Sequence, residues 1–270
     1  MSRNKNLAKQ LIPKEHGTWA MWVVPLIIGV IAAGRITLAS VLIFGVSLFA
    51  FACRTALASA LRLRKLNKPV MRKCLVAALV ELALIAGLAF PLLIQGNHAI
   101  ALIGLIAVAL LVTDLRWINK RSERDLLSQL VGVAGFALTA PAAYIATTGA
   151  WSLQAGILWA ISFAYFSGSV FFVKLRLARL ARGRNANGTD AHYARLALVY
   201  VFLVVICGAL FSSLAWMPPW LLLAFLPWIC HLFWEAIHLR SDKNINRVGW
   251  MLVAHSLYFT TLVSLIFVFN

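Results

Sequence analysis

The sequence predicts an all-α protein, a polytopic bundle of about nine transmembrane helices. The composition is the first reason: 62% of the 270 residues are hydrophobic and 12% are charged. Soluble domains carry about 25% charged and about 45–50% apolar residues. The second reason is a series of apolar runs close to the roughly 20 residues that a helix needs to cross a bilayer. The third is that basic residues collect in alternate connections, as the positive-inside rule requires.

The apolar runs define the predicted spans. The first and fourth are shorter than the others, and a tight turn at Gly34 and Arg35 separates the first two. The predicted spans are residues 17–34, 36–53, 73–94, 98–115, 127–148, 152–173, 195–215, 218–238 and 248–269.

The charge distribution predicts the orientation. Of the 25 Lys and Arg residues, 24 lie in residues 1–16 or in the connections after the second, fourth, sixth and eighth spans; Arg35 is the exception. This pattern predicts a cytoplasmic N-terminal segment at 1–16, an outside C-terminus and a single transmembrane domain over 1–270, in the bacterial cytoplasmic (inner) membrane. Because topology explains the net charge of +17, we expect no nucleic acid partner.

Glu81 is an acid inside a predicted span. It lies in the third span among apolar residues. A charged side chain in the bilayer is costly and is therefore a functional hypothesis by default. Two interpretations stay open: a protonated polar contact between helices, or the intramembrane proton or ion site of a secondary transporter.

A second group of ionisable residues is predicted near the cytoplasmic side. His231, Glu235 and His238 share one face of the eighth span at spacing i, i+4, i+7. Polar helix contacts would explain them, and so would a site. If the protein is an enzyme, a question that the sequence leaves open, the predicted catalytic residues are Glu15, His16, Glu235 and His255.

The same histidines allow an alternative, a haem- or metal-associated membrane protein. His231 and His238 are the candidate ligands, with His16 and His255 nearby in predicted depth. The spacing matches no standard zinc pattern, so a cofactor is not predicted.

Basic residues in the connections are candidates for binding an anion. Positive-inside charges that contact anionic lipid head groups explain them in part. The sharper interpretation is a site for an anionic head group, with Glu123 orienting two arginines. The candidate anion-binding residues are Arg54, Arg121, Arg124, Lys174, Arg176 and Arg247.

Four segments carry a resemblance to a known family: EHGTWAM (15–21), RSERDLLSQL (121–130), SGSVFFVKLR (167–176) and NRVGWMLVAHSLYF (246–259). They resemble the YwiC-like bacterial membrane protein family. More distantly, nine helices with long cytoplasmic connections after even-numbered spans resemble the UbiA-type prenyltransferase fold. That resemblance implies a prenyl diphosphate held through magnesium by aspartate-rich motifs in the second-to-third and sixth-to-seventh connections.

The aspartate-rich motifs are missing here. Residues 54–73 contain no Asp or Glu, and residues 174–195 contain only Asp190. Because magnesium needs oxygen ligands, magnesium–diphosphate binding is not supported. The leading hypothesis is a basic, cytoplasm-facing pocket that binds or modifies a membrane lipid or isoprenoid anion, in the manner of a divergent UbiA-like transferase. The oligomeric state is not predicted.

Overall fold

All regular secondary structure among the residues that the computed structural model describes is helical. These are residues 16–64, 66–94, 98–120, 122, 125–182, 189–237 and 245–269, and no strand occurs among them. The predicted fold class is confirmed.

The helices reproduce the predicted spans. Within the described ranges, eight segments are long and apolar enough to cross a membrane, and Gly17–Ala32 is a shorter apolar helix. Two spans consist of two pieces each. The helices are α1 (His16–Ala32), α2 (Leu38–Leu63), α3 (Lys68–Ile94), α4 (His98–Asn119), α5 (Leu126–Ala137), α6 (Thr139–Thr148), α7 (Leu153–Arg182), α8 (Thr189–Ser213), a 3₁₀ helix (Pro219–Phe225), α9 (Leu226–Ile237) and α10 (Ile245–Phe269).

The helices differ from the predicted spans mainly at their basic ends. Helix α2 continues to Leu63 and α7 to Arg182, about nine residues past the apolar runs, and α3 begins at Lys68. Leu, Ala, Arg and Lys are all good helix formers, so the charges end the apolar run without ending the helix. Long basic side chains also keep their charge in water while their stems cover apolar surface.

The fifth span is interrupted between α5 and α6. Pro141 has no N–H, so a regular helix cannot continue through it unchanged. The Leu138 N–H bonds to Gly135 O at 3.3 Å instead of to the carbonyl four residues back. That carbonyl, on Ala134, accepts a hydrogen bond from the Trp159 indole N–H at 3.2 Å. A side chain thus satisfies the backbone group that the interruption releases.

The eighth span changes from a 3₁₀ helix to α9 for the same reason. Pro227 cannot donate to Leu223 O, which instead accepts from the Leu226 N–H. The Tyr258 hydroxyl of α10 also donates to Leu223 O, at 3.3 Å. Since the hydrocarbon region offers no water, such internal partners are required for a broken helix to persist within a span.

The Cα positions group into two compact units, Met1–Trp159 (unit 1) and Ala160–Asn270 (unit 2). In unit 1, α2 packs along α3, and α1 packs against α6. In unit 2, the rings of Tyr165 and Phe259 stack with centroids 3.9 Å apart.

The burial pattern fits a protein surrounded by lipid. In the apolar windows of α3, α4, α8 and α10, 11–17% of the residues are buried within the protein, against 61% for Leu126–Thr148. Apolar surface of that extent is stable only in an apolar solvent. The chain is therefore a multi-pass membrane protein.

We expect Gly29→Ala to destabilise the protein. A Cβ at Gly29 would overlap the backbone carbonyl of Ala140 in α6, and a backbone atom cannot move aside cheaply. The cost of about 1–3 kcal/mol for overpacking exceeds the gain of about 1 kcal/mol in helix propensity. The matched control is Gly132→Ala, where a Cβ meets nothing within 4 Å. Thermal unfolding midpoints in detergent should fall for G29A only; equal midpoints would contradict the close packing of α1 on α6.

Candidate functional site

A buried ion-pair network joins α7 and α9 in unit 2. Arg176 Nη2 donates to Glu235 Oε1 at 2.5 Å, and Arg179 Nη1 donates to Glu235 Oε2 at 2.9 Å. Arg179 also donates to the backbone carbonyl of Glu235. The two arginines are three residues apart in α7 and therefore share one face of that helix. One carboxylate thus fixes two guanidinium groups.

Two histidines lie against this network. His231 is one turn before Glu235 in α9, and its Nε2 lies 3.8 Å from Glu235 Oε1. This nitrogen is buried and has no hydrogen-bond partner among the described residues. The ring of His255, on α10, lies 5.7 Å from that of His231, centroid to centroid. Together, Arg176, Arg179, His231, Glu235 and His255 form what we call the Glu235 cluster.

An aromatic ring supports the cluster. The Arg176 guanidinium carbon lies 5.1 Å from the centroid of the Phe172 ring. The His231 ring approaches the same phenyl ring edge-on, with centroids 5.1 Å apart. A guanidinium over an aromatic face gains a cation–π attraction that strengthens as water is removed. Phe172 therefore holds Arg176 and His231 on one apolar platform.

Burial makes the ion pairs obligatory. The Arg179 side chain is 4% exposed and that of Glu235 is 10% exposed. A charge buried at this level costs several kcal/mol unless it is paired and hydrogen-bonded. Both oxygens of Glu235 accept hydrogen bonds from arginines, so its carboxylate positions these groups.

Unit 1 contains a similar pair. Arg54 Nε, on α2, donates to Asp114 Oδ2, on α4, at 2.9 Å. Asp114 is buried, and the Arg54 guanidinium carbon lies 5.8 Å from the centroid of the Phe136 ring. Phe136 in turn packs against Phe51 in an aromatic group that includes Trp22.

The two ion pairs occur at matching places in the chain. In each unit the arginine lies on one α-helix and the carboxylate on the second α-helix that follows. The separation is 60 residues for Arg54 and Asp114, and 59 residues for Arg176 and Glu235. In each unit, one long connecting span (α3 or α8) lies between the two helices. The two units therefore each contain an ion pair with a similar spacing along the chain.

Glu81 has a different environment. It lies on α3 in unit 1, one turn after Ala78, whose carbonyl accepts a hydrogen bond from the Cys53 thiol of α2. Its Oε2 atom is buried and has no hydrogen-bond partner among the described residues. Unlike Glu235, this carboxyl group is held by no arginine in the described part of the chain.

Comparison with known proteins shows one family that the chain resembles. The model of the YwiC-like protein family matches residues 12–144. The YwiC protein of Bacillus subtilis (strain 168) is 26% identical over 269 residues, which is 95% of this chain and 98% of that protein. The chain is thus similar to this family over nearly half of its length, and the predicted resemblance is confirmed. No solved structure matches the chain, so the distant resemblance to the UbiA-type fold stays a prediction.

The two matches cover different parts of the chain. The family match includes Arg54, Glu81 and Asp114 and ends before the Glu235 cluster. The alignment with the Bacillus protein extends over nearly the whole chain and so reaches both units.

The structure brings some of the predicted site residues together. Arg176, Glu235, His231 and His255 form one cluster, whereas Arg54 pairs with Asp114 in unit 1. Lys174 lies two residues before Arg176, about 200° around the helix, and so occupies another face.

Several predictions fall on residues that the structure does not describe. For His16 and Arg247 only the helical backbone is described, in α1 and α10. Five other predicted site residues lie outside the described ranges: Glu15, Arg121, Glu123, Arg124 and His238.

Two ion-pair residues were not among the predicted site residues. Asp114 is the single acid at the end of an apolar run, and Arg179 is one turn from Arg176. The signal for Asp114 was available, since Arg54 also lies at the basic end of an even-numbered span. The signal for Arg179 was hidden among six basic residues in 174–195.

The metal hypothesis gains no ligand set from the described side chains. Among them, no three His, Cys, Asp or Glu residues are placed to hold a metal ion. The rings of His231 and His255 meet in an edge-to-face contact, with their planes at 67°.

We expect Glu235→Gln to destabilise the protein by about 3–5 kcal/mol, because removing one partner of a buried ion pair leaves uncompensated charge on the other. Here two guanidinium groups lose their shared carboxylate. The control is Asp125→Asn, since Asp125 is exposed and its side chain makes no capping hydrogen bond. Free energies of unfolding should be measured by titration with sodium dodecyl sulfate. A change below about 1 kcal/mol for E235Q would show that the cluster is solvated and the pairs are dispensable.

Proposed function

We propose that this protein binds the anionic head group of an isoprenoid or other membrane lipid at the Glu235 cluster. The site would lie at the cytoplasmic side of the bacterial inner membrane. The observation that carries the proposal concerns Arg176. Glu235 fixes its side chain in place but does not occupy all of its N–H donors. Among the described residues it has one hydrogen-bond acceptor, Glu235, and its side chain remains 15% exposed.

The chemistry of the guanidinium group supports this role. It carries five N–H donors in a planar fork that matches the oxygens of phosphate and carboxylate. One N–H is used by Glu235, and Phe172 covers one face of the plane. An arginine held in this way loses less conformational entropy on binding, which is the usual basis of preorganised recognition.

Apolar surface beside the cluster would accommodate the lipid tail. Val173, one turn before Arg176, is 39% exposed, and Leu177, which directly follows Arg176, is 55% exposed. A ligand with a charged head and a long apolar tail fits this combination better than a small soluble anion does.

The histidines are the groups that would exchange protons with a bound head group. His231 Nε2 has no hydrogen-bond partner among the described residues, and the His231 ring contacts the ring of His255. Imidazole is the side chain best suited to proton exchange near neutral pH. Catalytic roles for Glu235 and His255, in a transferase lacking magnesium motifs, stay predictions. In this proposal Glu235 acts through the arginines that it positions.

The cytoplasmic location rests on charge distribution. Helices α2, α4, α7 and α9 are the second, fourth, sixth and eighth spans, so in an alternating topology all four end at the same membrane side. That side carries 24 of the 25 basic residues. The positive-inside rule assigns it to the cytoplasm, where anionic lipids add to the attraction.

We expect Arg176→Gln to weaken the binding of farnesyl phosphate at least tenfold, or about 1.4 kcal/mol. The binding of farnesol, which has the same tail without the charge, should be unchanged. Dissociation constants can be measured by titration calorimetry on the purified protein in detergent. The ratio between the two ligands separates a lost head-group contact from general damage to the fold.

The matched control is Arg72→Gln. Arg72 is exposed on α3 at the predicted cytoplasmic side. Its replacement should leave farnesyl phosphate affinity within twofold of the wild type. Equal losses in R176Q and R72Q would reduce the proposal to nonspecific charge attraction, and an unchanged affinity in R176Q would refute it.

A further inference from the structure

Glu81 occupies the middle of a membrane span. It is the central residue of α3, Lys68–Ile94, with thirteen residues on either side. At about 1.5 Å per residue, each end of the helix is about 20 Å away. The residue is half-exposed, so one side of it faces the exterior of unit 1.

The interface between α2 and α3 encloses the other side. The Cys53 thiol donates to Ala78 O at 3.6 Å, one turn before Glu81. Around this contact, Ala56 is fully buried and Leu57 and Ile85 pack beside it. Glu81 Oε2 is buried here without a hydrogen-bond partner among the described residues.

An ionised carboxylate is too costly in this position. The described part of the chain offers Glu81 no ion-pair partner, whereas Glu235 has two. An unpaired charge near the bilayer centre costs several kcal/mol. The neutral acid avoids that cost, but its O–H group still needs an acceptor that the described residues do not supply. A buried polar atom without a partner calls for an explanation.

We propose that Glu81 is a proton-binding site that is reached from within the membrane. A single carboxyl group with an unused oxygen suits a proton, or the polar atom of a passing substrate. It does not suit a hard metal cation, which would need several oxygen ligands, and the neighbouring side chains are apolar. The site would serve a proton-coupled step, as in secondary transport. It is independent of the anion site proposed in unit 2.

The test uses dicyclohexylcarbodiimide, an apolar reagent that enters membranes and reacts with protonated carboxyl groups. The carboxyl oxygen adds to the central carbon of the carbodiimide, and the carboxyl proton moves to one of its nitrogens. The acyl group then shifts to nitrogen, giving a stable N-acylurea without a leaving group. Peptide mass spectrometry of the labelled full-length protein locates the adduct by its added mass.

We expect Glu81 to be labelled at least tenfold faster than Glu235, whose oxygens accept from two arginines. Glu81→Gln should abolish the adduct in that peptide while the thermal unfolding midpoint stays close to that of the wild type. Cys53→Ser should retain the label, because the thiol is a neighbour and not the reacting group. Replacing potassium chloride with sodium chloride at equal concentration should not change the rate.

Two results would overturn the proposal. If Glu81 reacts only after unfolding in sodium dodecyl sulfate, it is a sealed structural acid and not an accessible site. If sodium specifically protects Glu81 from the reagent, the site binds a metal cation and not a proton. A water-soluble carbodiimide provides the complementary arm: it should label Glu81 at least tenfold more slowly than the apolar reagent, and an equal rate would place the residue in contact with water.

Discussion

The buried pairing of arginine with a carboxylate is the interaction on which the rest of unit 2 depends. A guanidinium inside a span must be neutralised, so Arg176 and Arg179 fix α7 against α9 at the position of Glu235. Eight residues before Arg176, Gly168 leaves no room for a side chain beside the Trp228 ring, which lies seven residues before Glu235. The glycine contact and the ion pair are therefore separated by nearly the same number of residues on α7 and on α9, as expected for two helices that pack in parallel. Close packing brings the charges within reach, and the charges in turn prevent the helices from sliding.

The same kind of ion pair occurs in both units, but the residues around it differ. Arg54 and Asp114 are separated by almost the same length of chain as Arg176 and Glu235. Four residues before the carboxylate, however, unit 2 has His231 and unit 1 has Leu110. An ion pair alone is accounted for by helix packing. Helix packing does not account for the neighbouring imidazole of His231, whose buried Nε2 has no hydrogen-bond partner among the described residues. This difference favours unit 2 as the anion site.

The sequence predicted most of the fold and part of the site, for physical reasons that can be stated. The bilayer determines both the length of the apolar runs and the alternation of basic connections, so the nine spans could be predicted from these two patterns. The shared face of His231 and Glu235 followed from helical periodicity. The partner of Glu235 could not be found in this way, because six basic residues in 174–195 are equivalent until packing selects Arg176 and Arg179. The interruption at Leu138 was also missed, although Pro141 was visible, because the length of the apolar run hid it.

The two glutamates within spans show how a membrane protein uses the same group for different ends. Both carboxylate oxygens of Glu235 accept hydrogen bonds from arginines, so this group holds other side chains in place. Glu81 has a buried oxygen without a partner among the described residues and apolar neighbours, so its stable form is the neutral acid. If that acid were only a polar contact between α2 and α3, the interface would supply the matching acceptor, as it does for the Cys53 thiol. Because the described residues supply no such acceptor, we infer that the Glu81 carboxyl group binds and releases a proton.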